Sequence, residues 1–351
     1  MSVIAVPMLK RILFEISVLS PSYFGSVMAT GVVSIILKLY GLTSVAALVA
    51  VLNLILYTSL VLLNLVRIIS YRDRVREDLL DPGRGLGYLT AIAGTDVVGD
   101  DLVLVLHMES ISLVLWGASL VLWILLQYYF LFTLTVREEK GGIQDVNGLW
   151  LLLPVSTLTL SVLSLDLSTK VPQLIYPGLI TYFVGWVTYL VITVLISSRL
   201  FLSRVKAGDV IPAYWINGGF PALASLSSSL LILHASPSFP ILLELRSFLL
   251  GTGVLVWAYG TWWMPLLFLL FAWKHLAKHI SFLKYDFQFW SAVFPIAVYD
   301  LGTYFTARVT GIPGVSLIAL VFAYISVGLW VYQLSGFVYN ILVKLRKPID
   351  A

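Results

Sequence analysis

The stretch FWSAVFPIAVYDLGTYF, residues 289–305, decides how the chain is read. It is apolar enough for a helix buried in lipid. It also carries Pro295 directly behind the bulky Phe294, and an acid, Asp300, further along. A proline inside a helix removes a backbone hydrogen bond and bends the chain. A carboxyl within a bilayer is expensive and is retained for function or for a specific partner. Such a segment belongs inside a bundle, where neighbouring protein or water satisfies the freed backbone groups.

The rest of the chain has the same character. It has 351 residues, of which 60% are hydrophobic and 11% charged, and its mean hydropathy is +0.97. Soluble domains carry about 25% charged residues, so this composition defines a polytopic membrane protein. Long apolar runs fill the whole length, so residues 1–351 are read as a single transmembrane domain. The net charge of +4 does not indicate nucleic acid, because the basic residues fall in short loops and act as topology signals. With no cysteine, disulfides, thiolate metal sites and a cysteine nucleophile are excluded. No removable signal peptide and no cofactor are expected.

A spanning helix needs about 20 predominantly apolar residues. Runs of that kind lie at 19–38, 43–66, 87–106, 110–136, 148–166, 174–197, 211–234, 246–272, 287–308 and 314–342. The expectation is therefore an all-α membrane protein with ten transmembrane helices. Lys and Arg concentrate at the two termini and in the loops after helices two, four, six and eight. The opposite side holds only Lys38, Lys170, Arg246 and Arg308. This asymmetry puts both termini in the cytoplasm of a multi-pass protein of the cell membrane.

The helices also differ in kind. Odd-numbered ones carry breakers and small residues, such as Pro21 and Gly31, Gly94 and Gly99, Pro154, Gly219 and Pro221, and Pro295 and Gly302. Even-numbered ones are longer and more uniformly apolar. This alternation suggests five helical hairpins, each giving one helix to a centre and one to the lipid.

Five blocks carry a resemblance: PSYFGSVMATGVVS (21–34), VNGLWLLLPVSTLTLSVL (146–163), YWINGGFPALASLSSSLL (214–231), TWWMPLLFLLFAWKH (261–275) and FWSAVFPIAVY (289–299). In this order they resemble the tellurite-resistance/dicarboxylate transporter family, which includes malate and sulfite transporters and the slow anion channels of plant guard cells. The resemblance implies five hairpins round a central pore, often as homotrimers, passing small anions. It also implies that Phe294, ahead of the Pro295 kink, plugs the pore. A bulky ring beside a bend can occlude and dewet a narrow passage.

On a helical projection Phe294, Val298, Leu301 and Phe305 share one stripe, while Asp300 lies about 120° round from Phe294. Asp300 is therefore expected on an inter-helix flank, either neutralised by a hydrogen bond, Arg308 or Arg246, or carrying a proton. Asp96 of helix three joins it as a candidate for proton coupling, since desolvation near mid-membrane favours the neutral carboxyl. Asp100 and Asp101 are read as the wet outer end of that helix. Backbone and side-chain donors at Thr30–Gly31, Gly94–Thr95, Ser156–Thr157 and Asn217–Gly219 are candidates for an anion path. His275 and His279 have the i, i+4 spacing of a metal pair, but no third ligand follows, so no metal is expected.

No nucleotide-binding, zinc-protease or nucleophile-elbow motif occurs. The expected activity is transport of a small anion, a C4-dicarboxylate such as malate or an inorganic anion such as sulfite or chloride, with proton coupling. The alternatives are a passive anion channel and, from another class, a membrane-embedded enzyme.

Overall fold

A computed structural model describes residues 12–81, 83–138, 142–279 and 285–346. Ten long helices occur among them. They are α1 (Phe24–Leu39), α2 (Thr43–Ser70), α3 (Leu89–Leu104), α4 (Glu109–Val136), α5 (Leu152–Leu167), α6 (Ile175–Leu202), α7 (Ile216–Leu233), α8 (Pro240–Lys278), α9 (Trp290–Thr310) and α10 (Val315–Arg346). A nine-residue helix, Arg72–Leu80, links α2 to α3. No strand occurs among the described residues.

Eight of these segments are long and apolar enough to cross a membrane. The two outside that set are α3 and α9. The first has only 16 residues and holds Asp96, Asp100 and Asp101. The second holds Pro295, Asp300 and Gly302 and carries Arg308 in its last turn. The apolar runs 87–106 and 287–308 thus owe part of their length to flanking turns, and their polar residues need protein neighbours.

The surroundings of the molecule can be read from α4. Its buried residues are Ser112, Ser119, Gln127 and Phe130. Its exposed ones include Val114, Val121, Leu125 and Phe132. Three of the four residues turned inward are polar, and the exposed face is aliphatic and aromatic. That pattern is stable only where the solvent outside is itself apolar. By contrast, every residue of α5 from Leu152 to Leu167 is buried.

The odd-numbered helices pack in a closed ring: α1 on α3, α3 on α5, α5 on α7, α7 on α9, and α9 back on α1. Each also packs against the even-numbered helix that follows it. The ring helices run parallel. Gly25 of α1 sits against Trp290 at the start of α9, and the Tyr40 and Tyr304 rings meet at the far ends, 6.1 Å between centroids. Gly148 likewise touches Ala213, while Ser161 and Ser227 hydrogen-bond at 2.7 Å between three and four turns further along the chain in α5 and α7.

Each ring helix opens with one turn of 3₁₀ helix, at Pro21–Tyr23, Gly85–Tyr88, Gly148–Leu151, Pro212–Trp215 and Phe287–Phe289. These five turns touch one another in the same cyclic order as the helices they start. Pro at the first helical position costs nothing there, because its missing N–H is one of the unpaired groups anyway. Ser20, Asn147 and Asp286 cap three of the turns through their side-chain oxygens.

Candidate functional site

The ring encloses a cavity of about 80 Å³. All five odd helices line it: Val32 and Ile35 of α1, Val97, Asp100 and Leu104 of α3, Thr159, Val162 and Asp166 of α5, Leu223, Leu226 and Leu230 of α7, and Phe294, Val298, Leu301 and Phe305 of α9. A second, larger cavity of about 640 Å³ lies at the 3₁₀ end. Ser22, Leu149, Ala213 and Phe287 of four turns line it, with Arg84, the residue immediately before the fifth.

On α9, Ser291 faces the larger cavity and Phe294 the inner one. They are three positions apart on the helix, a rise of about 4.5 Å. Phe294 therefore stands at the boundary between the two spaces, 3% exposed. Pro295 leaves the Ser291 carbonyl without its helical donor. Pro221 does the same to the Asn217 carbonyl, which instead lies 3.5 Å from the Tyr189 hydroxyl.

Five helix N-termini converge on the larger cavity. Unpaired N–H groups give each such end a partial positive charge, and the effect favours anions. The basic side chains at this mouth are already paired, Arg84 with Asp78 at 2.8 Å and Lys344 with Glu15 at 2.8 Å. The charge offered to an approaching anion therefore comes mainly from backbone.

Of the residues singled out from sequence, Phe294, Val298 and Leu301 line the inner cavity. The hydroxyls assigned to an anion path mostly turn outward instead. The Trp330 indole N–H of α10 donates to Thr30 Oγ1 at 3.0 Å, and Trp123 of α4 donates to Thr157 Oγ1 at 2.9 Å. Thr95 pairs with the Tyr57 hydroxyl of α2 at 3.0 Å, and Ser156 donates to the Leu153 carbonyl at 3.2 Å. Asn217 accepts from Tyr189 and Thr193 of α6 at 3.1 and 3.3 Å.

The glycines mark close approaches. A Cβ on Gly31 would lie 2.4 Å from Val97 Cγ1, and one on Gly219 would lie 2.5 Å from Pro295 Cβ. Gly94 has ordinary spacing, 3.5 Å to Phe24.

The acids have neighbours that sequence spacing did not reveal. Asp96 accepts from Ser119 of α4 and Thr159 of α5, at 2.5 and 2.7 Å. Asp300 accepts from the Tyr40 hydroxyl at 3.0 Å. Neither lines the inner cavity, and the structure does not bring them together. Asp101 accepts from Ser34 and, at 2.8 Å, from Asn53. Asp100 and Asp101 are 4% and 2% exposed, which corrects their reading as a wet helix end: α3 continues to Leu104, and a ring of helices surrounds it there. Asp166, not singled out from sequence, meets Asp100 on the cavity wall.

A ring of parallel helices in an apolar jacket, with a cavity on its axis, defines a membrane protein of the channel or transporter class. The sequence narrows this further. Residues 18–338 match the voltage-dependent anion channel (SLAC1) family, and the chain belongs to it. An uncharacterised transporter of Methanocaldococcus jannaschii is 26% identical over 310 residues, covering 82% of this chain and 84% of the relative. An uncharacterised membrane protein of Mycobacterium tuberculosis is 26% identical over 159 residues, covering 45% of this chain and 79% of the relative.

Proposed function

We propose that the chain passes small anions along the axis of the helix ring and that Phe294 is the gate. The observation that carries this reading is the position of Phe294 between a mouth built from five helix N-termini and an inner cavity lined by all five ring helices. Family membership supports anion transport in general. An anion entering the mouth is held by backbone dipoles and stopped by the ring, which keeps the apolar cavity beyond it closed.

In this reading the ten helices form five hairpins round a central pore, with both termini in the cytoplasm of the cell membrane, as the distribution of Lys and Arg supports. The mouth then opens to the cytoplasm. The substrate is a C4-dicarboxylate such as malate, or an inorganic anion such as sulfite or chloride, and the assembly is a homotrimer. Gly219 and Pro295 serve the gate by setting the contact between α7 and α9 beside the ring. Thr30, Thr157 and Asn217 serve it by fixing the ring helices to their outer partners.

Purified protein in proteoliposomes, tested for uptake of chloride, sulfite and malate, provides the test. Phe294→Ala is expected to raise flux of the carried anion severalfold or more. A flux unchanged by this substitution in a folded protein would refute the gate.

A further inference from the structure

Asp100 lies one turn before the end of α3, and Asp166 one residue before the end of α5. Both carboxyls are on the wall of the inner cavity and are 4% and 8% exposed as residues. The two carboxyls stand on the same stretch of wall, one from each helix. One oxygen of Asp100, Oδ1, is buried without any hydrogen-bond partner. Two buried carboxyls on one apolar wall are costly when both are ionised, which favours a shared proton, and the unpartnered oxygen is a place for another.

No cation compensates the pair. Lys38, at the end of α1, donates to the Leu104 carbonyl and lies 3.2 Å from His107. Lys170 is paired with Glu109 at 3.3 Å. The charged groups acting on Asp100 are acids only, Asp166 with Asp96 and Asp101 of its own helix. Around the pair, α1 and α7 present aliphatic side chains to the cavity, and α9 presents Phe and aliphatic ones. Asp300 of α9 is turned to Tyr40, Tyr57 of α2 to Thr95, and His234 of α7 to the Leu230 carbonyl of its own helix. A metal ion in place of the proton would need several further oxygen ligands. The Thr159 hydroxyl on the wall is already committed to Asp96, and no group of metal-holding side chains exists among the described residues.

We propose that Asp100 and Asp166 form a proton-binding site in the transport path. A proton from the side where α3 and α5 end adds to Oδ1 of Asp100, converting a singly negative pair into a neutral one. The neutral pair admits an anion to the cavity, and loss of the proton expels it. By linkage the anion and the proton favour each other's binding by the same factor. The proposal rests on the reading that anions use this cavity.

The test uses full-length protein and two independent readouts. The first is infrared difference spectroscopy of the detergent-solubilised protein between about pH 5 and about pH 8, a range that brackets shared carboxyl protons. A protonated-carboxyl band is expected in the wild type and is lost or shifted in Asp100→Asn and in Asp166→Asn. The second is uptake of chloride and malate into proteoliposomes with a lumenal pH indicator. Wild-type flux is expected to rise at least fivefold on acidification of the side where α3 and α5 end, with proton entry alongside the anion. Asp100→Asn/Asp166→Asn is expected to give flux that no longer varies with pH.

An infrared difference unaffected by either single substitution would overturn the site, as would a double variant with the wild-type pH dependence. If neither the wild type nor Phe294→Ala carries any anion, the transport reading fails. The infrared result still decides the proton site in that case.

Discussion

Gly219→Ala separates two roles for the residue, donor on an anion path and spacer between helices. The added Cβ would lie 2.5 Å from Pro295 Cβ, 2.7 Å from Pro295 Cα and 3.2 Å from Pro295 Cγ. Ordinary contact begins near 3.4 Å, so α7 and α9 must part by about 1 Å at this point. The neighbour is a ring closed onto its own backbone and cannot swing aside. Overpacking of this kind costs about 1–3 kcal/mol, and replacing a helical glycine returns about 0.5–1 kcal/mol. The net expectation is a loss of about 1–2 kcal/mol, seen as a lower melting temperature in detergent. Phe294 is bonded to Pro295, so its ring shifts with the helix, and anion leak in proteoliposomes should rise severalfold. Gly25→Ala is the control. Its Cβ would meet Trp290 at an ordinary 3.5 Å, and it should be neutral or stabilising. Gly302→Ala, aimed at the Ala222 carbonyl 2.2 Å away, should be the most damaging because backbone cannot yield. If Gly219→Ala melts and conducts like the wild type, or if Gly25→Ala is equally harmful, the spacer argument is wrong.

Other substitutions test neighbouring links. Phe305 lines the same cavity as Phe294 but one helix half further along, so Phe305→Ala should raise flux less than Phe294→Ala in the same vesicle assay. Arg67 is 1% exposed and donates to Asp78 at 2.6 Å, to the Tyr88 hydroxyl at 3.0 Å and to the Ser17 carbonyl at 3.2 Å. Breaking a buried pair costs about 3–5 kcal/mol. Because Arg84 still faces Asp78, Arg67→Met should sit at the low end of that range in a thermal melt. Trp330→Phe removes one indole donor from Thr30, a loss of about 1 kcal/mol, with anion flux unchanged because the contact lies off the cavity. Asp300→Asn retains an acceptor for Tyr40, and the pH profile of flux should match the wild type.

How much of this was legible beforehand depends on what each feature requires. The stripe of Phe294, Val298, Leu301 and Phe305 follows from 100° per residue on one helix, and the cavity is lined by all four. Asp300 falls off that stripe for the same reason and finds Tyr40 on α1. Both are local geometry, and Pro295 distorts mainly the turn before it. The hydroxyls are another matter. A helix such as α5, buried on every side, has no amphipathic signal, so nothing in Ser156 or Thr157 tells whether it points to the axis or to Trp123 on α4. The partner tryptophans do carry a hint: Trp116, Trp123, Trp257 and Trp330 all sit on even helices and donate to hydroxyls on odd ones. Lipid tails offer an indole N–H no acceptor, so these four find Ser or Thr on an inner helix, whereas Trp263 of α8 is buried without such a partner. The Asp100–Asp166 contact had no such hint. It joins residues on different ring helices, and the acid at the end of α5 looks in sequence like a helix terminus in water. It becomes a site only when the ring closes. Ring closure also explains why α3 can be short and acidic: the even helices supply the apolar surface, and the ring helices are free to carry the chemistry.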